Sequence, residues 1–345
     1  MIKIDGSFGE GGGQIVRSSL CLSALTGVPV TIENIRARRP RPGLANQHLA
    51  AARALAKVCG AEMEGAKKGS TELVFRPGEI RAGHYSREIG SAGSTTLIFQ
   101  TLFPVLSRAD RESGLTLHGG THNPMAPPSD FLSECFLPAA EAAGFDAEVE
   151  LVRHGFYPEG GGAIRARVRP FSPPAQEFDL SGETEWEGPE VTILITNLPE
   201  HVAFREQDEV AKSLKIDPIS VDIEALPGEV GPGNAVMIRY RADGRTALFT
   251  SFGEPGKKAE RVARQGAREA KNFRRSRASV DPHLADQLVL VLALGKGGCF
   301  STSEITEHLR THAKVIRDFL DCEIGFETVK SDFHVVTVPG TSALI

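Results

Sequence analysis

The stretch Asn46-Gln47-His48-Leu49-Ala50-Ala51-Ala52-Arg53-Ala54-Leu55-Ala56-Lys57-Val58-Cys59-Gly60 sets the reading of the fold. It is an amphipathic helix stopped by glycine, and two β-rich runs follow it, Ala61–Glu64 and Thr71–Phe75. The same order recurs on both sides. Ser18–Leu25 ends at Gly27 and leads to Val28–Ile32, and Ser94–Leu106 is followed by Leu115–His118. Ser129–Ala143 is expected to start on Ser129 as N-cap and to stop at Gly144, ahead of a strand over Ala147–Val152. A Gly-rich turn also appears twice, at Gly9-Glu10-Gly11-Gly12-Gly13 and at Pro158-Glu159-Gly160-Gly161-Gly162, the latter leading to Ile164–Val168. Self-similarity of this kind predicts an α+β fold of repeated units, with helices packed against sheets.

The rhythm breaks near residue 171. Phe171-Ser172-Pro173-Pro174 and the acidic stretch Gly182–Glu190 mark a crossing between domains. Beyond it, strands at Val191–Thr196, Met237–Tyr240 and Thr246–Thr250 and helices near Gln207–Leu214 and Lys257–Phe273 form one module. Apolar Leu284–Leu294 then resumes the first pattern. The expected organisation is a large domain, 1–180 with 277–345, carrying a smaller inserted α/β domain at 181–276.

With 345 residues, 41% of them apolar, the chain has enough material for two cores. A net charge of −5 argues against a general nucleic-acid coat but leaves room for local basic sites. The five cysteines are widely spaced, with no C-x-x-C pair, which is the usage of a reducing compartment. No apolar run is long enough to span a bilayer, and the N-terminal residues lack a signal-like apolar stretch. The expectation is a cytoplasmic protein without a membrane partner.

Four features carry candidate chemistry. The loop Gly9–Gly13 is either a tight structural turn or a place where backbone amides close on an anion. It lacks the Gly-Lys-Ser/Thr of a P-loop and the spacing of a dinucleotide fingerprint. Glu10 within it is free to hold a hard cation such as Mg²⁺. Arg36, Arg38, Arg39 and Arg41 put four arginines in six residues, stiffened by Pro40 and Pro42, with Gln47 and His48 just beyond and Arg17 on the first helix. This is a solvated basic loop or a phosphate clamp. His118–Thr121 and Asn123–Pro128 form an ordered loop ahead of Phe131. His308 and His312 have the i, i+4 spacing of a metal pair but no third ligand. Thr311 is expected to cap a following helix, which sets His308 ahead of a helix N-terminus, where phosphate is favoured. On these grounds alone His308 is one candidate among ten histidines.

Together these stretches resemble the RNA 3′-terminal phosphate cyclase family. The strongest match is His154-Gly155-Phe156-Tyr157-Pro158-Glu159-Gly160-Gly161-Gly162. Asp5-Gly6 with Gly9-Glu10-Gly11-Gly12-Gly13-Gln14-Ile15-Val16-Arg17-Ser18 resembles the family's N-terminus. Ile35-Arg36-Ala37, Pro42-Gly43-Leu44, Gln47-His48-Leu49, Gly90-Ser91-Ala92-Gly93-Ser94, Leu284-Ala285-Asp286-Gln287-Leu288 and His308-Leu309 extend the match along the whole chain.

The resemblance implies a large domain of three β-α-β-α-β-β units, like a translation initiation factor's C-terminal domain, with a smaller domain inserted. It implies an enzyme of the ligase class that uses ATP and a divalent metal, Mg²⁺ or Mn²⁺, on RNA ending in a 3′-phosphate. The product would be a 2′,3′-cyclic phosphodiester, reached through histidine–AMP and RNA-adenylate intermediates, with release of pyrophosphate and AMP. Carried over residue by residue, His308 matches the adenylated nucleophile and Glu10 the metal ligand. Arg17, Arg36, Arg39 and Gln47 match residues around the phosphates. Gln100, Pro127, Phe131 and the segment His283, Leu284, Ala285, Asp286 and Gln287 match the nucleotide site. Two positions depart from the pattern: His283 replaces a tyrosine and His312 an asparagine. A non-catalytic cyclase-like scaffold would lack the histidine and part of the ATP site, and an enolpyruvyl transferase would form no nucleotidyl-histidine.

Overall fold

The helices begin and end where local chemistry dictates, and the sheets follow from their order. In the computed structural model, which describes residues 1–228 and 231–341, β1 (Ile2–Asp5), α1 (Gly13–Thr26), β2 (Val30–Glu33), α2 (Asn46–Cys59), β3 (Glu62–Glu64) and β4 (Leu73–Arg76) come first. Helix α2 has the bounds expected from sequence, because Gly60 turns the chain into the left-handed region at φ 60°. Next come β5 (His84–Glu88), α3 (Thr95–Leu106), β6 (Ser113–Gly119), α4 (Ser129–Phe131), α5 (Leu137–Ala142), β7 (Ala147–Arg153) and β8 (Gly162–Val168). Ser94 caps α3 by accepting from the Leu97 N–H at 3.2 Å. Two details of 129–143 differ from expectation. Pro128, not Ser129, is the capping position, and Leu132–Phe136 between α4 and α5 is a π-helical turn. Apolar periodicity does not distinguish such a turn from continuous α-helix.

After β9 (Phe178–Leu180), the chain forms β10 (Glu187–Thr196), α6 (His201–Leu214), β11 (Val221–Ala225), β12 (Gly233–Ala242), β13 (Arg245–Phe252) and α7 (Ala259–Ser276). It closes with α8 (Pro282–Leu294), β14 (Gly297–Thr302), α9 (Glu307–Phe319), β15 (Gly325–Lys330) and β16 (Phe333–Pro339). Residues 342–345, at the end of the expected large domain, lie outside the described residues. The expected Thr311 cap is corrected: Thr306 caps α9, accepting from the Leu309 N–H at 3.1 Å, so His308 lies inside the first helical turn.

The fold is α+β. Three four-stranded sheets share one pattern of order and sense, β1-β2-β4-β3, β5-β6-β8-β7 and β9-β14-β16-β15. In each the first pair is parallel and the other two pairs are antiparallel. The fourth sheet, β11-β10-β12-β13, has its own core. Its strands alternate between two environments. Ile193, Ile195, Val236, Ile238 and Phe249 pack with Val262, Ala263 and Ala267 of α7. Leu194, Ala235, Met237, Leu248 and Phe252 face the other way and join the main core. That second face brings β13 against the helices of the remaining chain. A charged cluster pins the contact: Arg239 on β12 donates to both carboxylate oxygens of Glu134 at 2.9–3.0 Å and pairs with Asp130 at 3.5 Å. Asp130 in turn holds buried His122 at 2.9 Å.

Candidate active site

One cleft of about 630 Å³ gathers residues from nearly every segment singled out in the sequence. Its polar end is built from first turns of helices. The loop ahead of α1 supplies Glu10 and Gly12, α1 supplies Gly13, Gln14 and Arg17, α2 supplies Gln47 and His48, and α9 supplies His308. Helix N-termini present unpaired N–H groups and a partial positive charge, so their convergence with Arg17, Arg36 and Arg39 favours an anion. The apolar end has Leu97, Pro104, Pro127, Phe131, Phe136 and Leu290, with Gln100, His283, Asp286 and Gln287 beside them. Apolar walls of this kind suit the faces of a flat ligand.

Each sequence-named residue has a definite place. Arg39 donates to the Glu10 carboxylate and, at 2.8 Å, to its carbonyl oxygen. Arg36 donates to the Gly43 carbonyl at 3.0 Å, and burial and the neighbouring Arg39 lower its pKa. The Gln47 side-chain oxygen accepts from the Ser94 N–H at 3.0 Å, which ties α2 to α3. Gln100 donates to the Gln287 side chain, and Gln287 donates to the His283 carbonyl at 2.7 Å. The Pro127 carbonyl accepts from Thr96 at 2.8 Å, and the exposed Met125 two residues earlier adopts φ 64°. Such a conformation in a residue with a side chain is strained, and strain concentrates where a loop serves a ligand.

Leu284 and Ala285 are buried in the main core, and neither lines the cleft. On α8 the helical period turns His283, Asp286, Gln287 and Leu290 to the cleft and Leu284, Ala285 and Leu288 away from it.

The two C-terminal histidines are sharply different. His308 is exposed, and its Nδ1 lies 3.3 Å from the Gln14 side-chain oxygen; with the ring proton on Nδ1, the lone pair is on Nε2. His312 is buried: its Nδ1–H donates to the Asp286 carbonyl, and its Nε2 accepts from the Ser18 hydroxyl at 2.9 Å. Burial pushes its pKa down to about 4, so its ring is neutral where it reaches the cleft wall. Thr311, not a cap, accepts from the Glu10 N–H at 3.3 Å. Gly9 makes this contact possible, since a Cβ there would lie 2.1 Å from the Thr311 hydroxyl and the backbone already sits at φ 53°.

Glu10 is the candidate cation ligand. One of its carboxylate oxygens is buried without a hydrogen-bond partner, which suits a hard cation. Among the described residues, no group of three or more His, Cys, Asp or Glu is placed to hold a metal. An ion at Glu10 would therefore take most of its ligands from phosphate and water, the usual arrangement for Mg²⁺.

Asp286 has the most perturbed carboxyl of the cleft. Burial raises it from 3.8 to about 7, against the pull of His283 and Arg17. Arg17 is lowered to about 10 by burial and remains charged at neutrality. The sign for stability follows from linkage. A raised acid pKa means that the folded chain keeps a proton the unfolded chain has released, so stability falls as pH rises from about 4 to about 7. Asp286→Asn should therefore gain stability relative to wild type between about pH 4 and about pH 7.5 in chemical denaturation. A difference that does not change with pH would contradict the burial account.

Sequence reasoning missed one wall. Thr250, Phe252, Glu254, Lys257, Gln265 and Glu269, all from β13, α7 and the turn between them, line the same cleft. Lys257 donates to the Phe252 carbonyl and to Glu254, each at 3.2 Å. Only the turn chemistry of Gly253-Glu254-Pro255-Gly256 marks this segment in sequence. The strongest motif, His154–Gly162, lies elsewhere and contributes nothing to the lining. Phe156 packs over Gly233 on β12, where a Cβ would sit 2.1 Å from its ring, and the His154 ring lies 5.0 Å from that of His122. The motif joins β8 to the fourth sheet.

An arginine-rich polar end, an apolar slot and two exposed histidines at helix starts, His283 and His308, suit a phosphate-bearing ligand. The chain's sequence matches the model of the family described as RNA 3′-terminal phosphate cyclase over residues 8–326. It is 46% identical over 323 residues to an RNA 3′-terminal phosphate cyclase of Ectopseudomonas mendocina, covering 94% of each chain. It is 44% identical over 327 residues to one of Koribacter versatilis, covering 95% of this chain and 91% of the relative. The chain belongs to the RNA 3′-terminal phosphate cyclase family, enzymes of the ligase class.

Proposed function

We propose that the chain uses ATP to convert an RNA 3′-terminal phosphate into a 2′,3′-cyclic phosphodiester, with His308 as the nucleophile. The observation that carries this reading is the contrast between the histidines: exposed His308 lines the cleft with Arg17, Arg39 and Glu10, while His312, in the same wall but buried, has both nitrogens occupied. His308 Nε2 attacks the α-phosphorus of ATP, the bond to the leaving oxygen breaks, and pyrophosphate departs. The AMP is then passed to an oxygen of the RNA 3′-phosphate, freeing the imidazole. The adjacent 2′-hydroxyl attacks that phosphorus, loses its proton and expels AMP. A phosphate monoester offers the 2′-hydroxyl no good leaving group, and attaching AMP supplies one.

Within this scheme Arg17, Arg36 and Arg39 hold and neutralise phosphate, and Gln47 orients it. Pro127 and Phe131 offer faces to adenine, with Gln100, His283, Asp286 and Gln287 around it. A divalent cation, Mg²⁺ or Mn²⁺, held by Glu10 would neutralise the charge that shifts between phosphate oxygens. The fold reading that goes with it makes the three like sheets copies of one β-α-β-α-β-β unit. The division 1–180 with 277–345 around 181–276 is supported by the second core, whose residues come from 186–273 apart from Ala278 and Phe333. All five cysteines are free, which suits a reducing compartment such as the cytoplasm. Among the described residues no helix is long and apolar enough to cross a membrane.

The test is a 3′-phosphorylated oligoribonucleotide with ATP and Mg²⁺. The expected outcome is an end that resists phosphatase, one AMP and one pyrophosphate per end converted, and loss of activity with chelator that added metal restores. Release of ADP, or an unchanged end with every divalent metal tried, would contradict the reading.

A further inference from the structure

We propose that His48 is a substrate-contacting residue of this cleft, an uncharged imidazole that donates a hydrogen bond from Nε2 to a phosphate oxygen. The proposal rests on the reading of the cleft as a site for phosphate groups of ATP and RNA.

The tautomer of His48 is fixed by the backbone. His48 is the third residue of α2, and the N–H of Ala45, just before the helix, lies 3.1 Å from its Nδ1. A backbone N–H only donates, so Nδ1 holds a lone pair and the ring proton is on Nε2. The residue is 7% exposed. Burial, then the charges of Arg17 and Arg36, push its pKa down to about 3, so the ring takes no second proton near neutrality.

The Nε2–H is turned to the cleft. It lies against Gly13, where a Cβ would sit 2.3 Å from Nε2 and 3.0 Å from Arg17 Nη1. The bare glycine thus leaves the imidazole and the guanidinium side by side at the start of α1. Nε2 has no hydrogen-bond partner among the described residues, while the ring lines the cleft. Nε2 is not among the fully buried atoms without a partner, so it is open to the cleft, where a phosphate oxygen can accept from it. Capping α2 would employ Nδ1 alone and would require neither a lined cleft nor a glycine opposite. An uncharged donor also suits the spot, because a third cation beside Arg17 and Arg36 would repel both.

The two ring nitrogens are separable by substitution. An Asn side chain reaches about as far as Nδ1, and a Gln side chain about as far as Nε2. His48→Asn should keep the helix cap and thermal stability but bind a phosphate ligand about tenfold more weakly. His48→Gln should lose thermal stability yet bind within about threefold of wild type. Binding is read by titration calorimetry with inorganic pyrophosphate, and with an oligoribonucleotide ending in 3′-phosphate against its 3′-hydroxyl form. A loss confined to pyrophosphate places His48 on the ATP chain, and one confined to the 3′-phosphate places it on the RNA end. Either outcome supports the donor. A folded His48→Asn that binds both as wild type does would reduce His48 to a cap and overturn the proposal. Wild type that binds neither ligand would instead sink the reading of the cleft, and the proposal with it.

Discussion

His308→Ala is expected to abolish cyclisation, by on the order of 10⁴-fold or more, while leaving the fold intact. The side chain is exposed in the first turn of α9 and supports no core contact, so little stability depends on it. His312→Ala should give the opposite result. It removes a buried ring and strands the Asp286 carbonyl and the Ser18 hydroxyl, which costs roughly 1–3 kcal/mol. Its chemistry should stay within about tenfold of wild type. Cyclisation rates and denaturation midpoints on the two variants separate the roles. Equal loss of activity in both, with equal loss of stability, would contradict the assignment.

The second large effect falls on stability. Arg239 is the buried pin between the fourth sheet and the segment carrying Phe131, held by Glu134 on both oxygens and by Asp130. Its carboxylate partners more than offset the burial that would otherwise lower its pKa. Arg239→Ala leaves two partly buried carboxylates without their cation, a change that costs roughly 3–5 kcal/mol. Because Leu248, Thr250 and Phe252 on the next strand line the cleft, ATP binding should weaken as well. Adding Glu134→Ala should recover part of the loss, since the stranded charge goes with it. Urea denaturation of the single and double variants checks this. A single-variant loss below about 0.5 kcal/mol would show that the pin does not hold the sheet.

What the sequence displayed was local order. Helix α2 could be bounded because Gly60 stops it, and α3 because Ser94 caps it. The π-helical turn at Leu132–Phe136 was hidden because a single longer-pitch turn leaves the apolar pattern almost unchanged. Thr311 reads as a cap because it is a threonine ahead of an apolar helical run, and only the third dimension shows it spent on Glu10 while Thr306 caps the helix. The cleft was legible where residues sit on turns and helix starts, as with Glu10, Arg17, Gln47 and His308. It was illegible where a wall arrives by docking. Thr250, Gln265 and Glu269 become site residues only because the apolar face of the fourth sheet packs on the main core. The His154–Gly162 motif inverts the usual expectation. The most distinctive stretch of the chain serves a joint, with Phe156 over Gly233, and not the chemistry.

The most direct test of the central claim is covalent capture. Wild-type protein is incubated with α-³²P-ATP and Mg²⁺, and label that survives denaturation but is released by acid is counted. We expect label in wild type and in His312→Ala, none in His308→Ala, and discharge as AMP on adding a 3′-phosphorylated oligonucleotide. Label that persists in His308→Ala, or wild type that never takes label with any divalent metal, would contradict it.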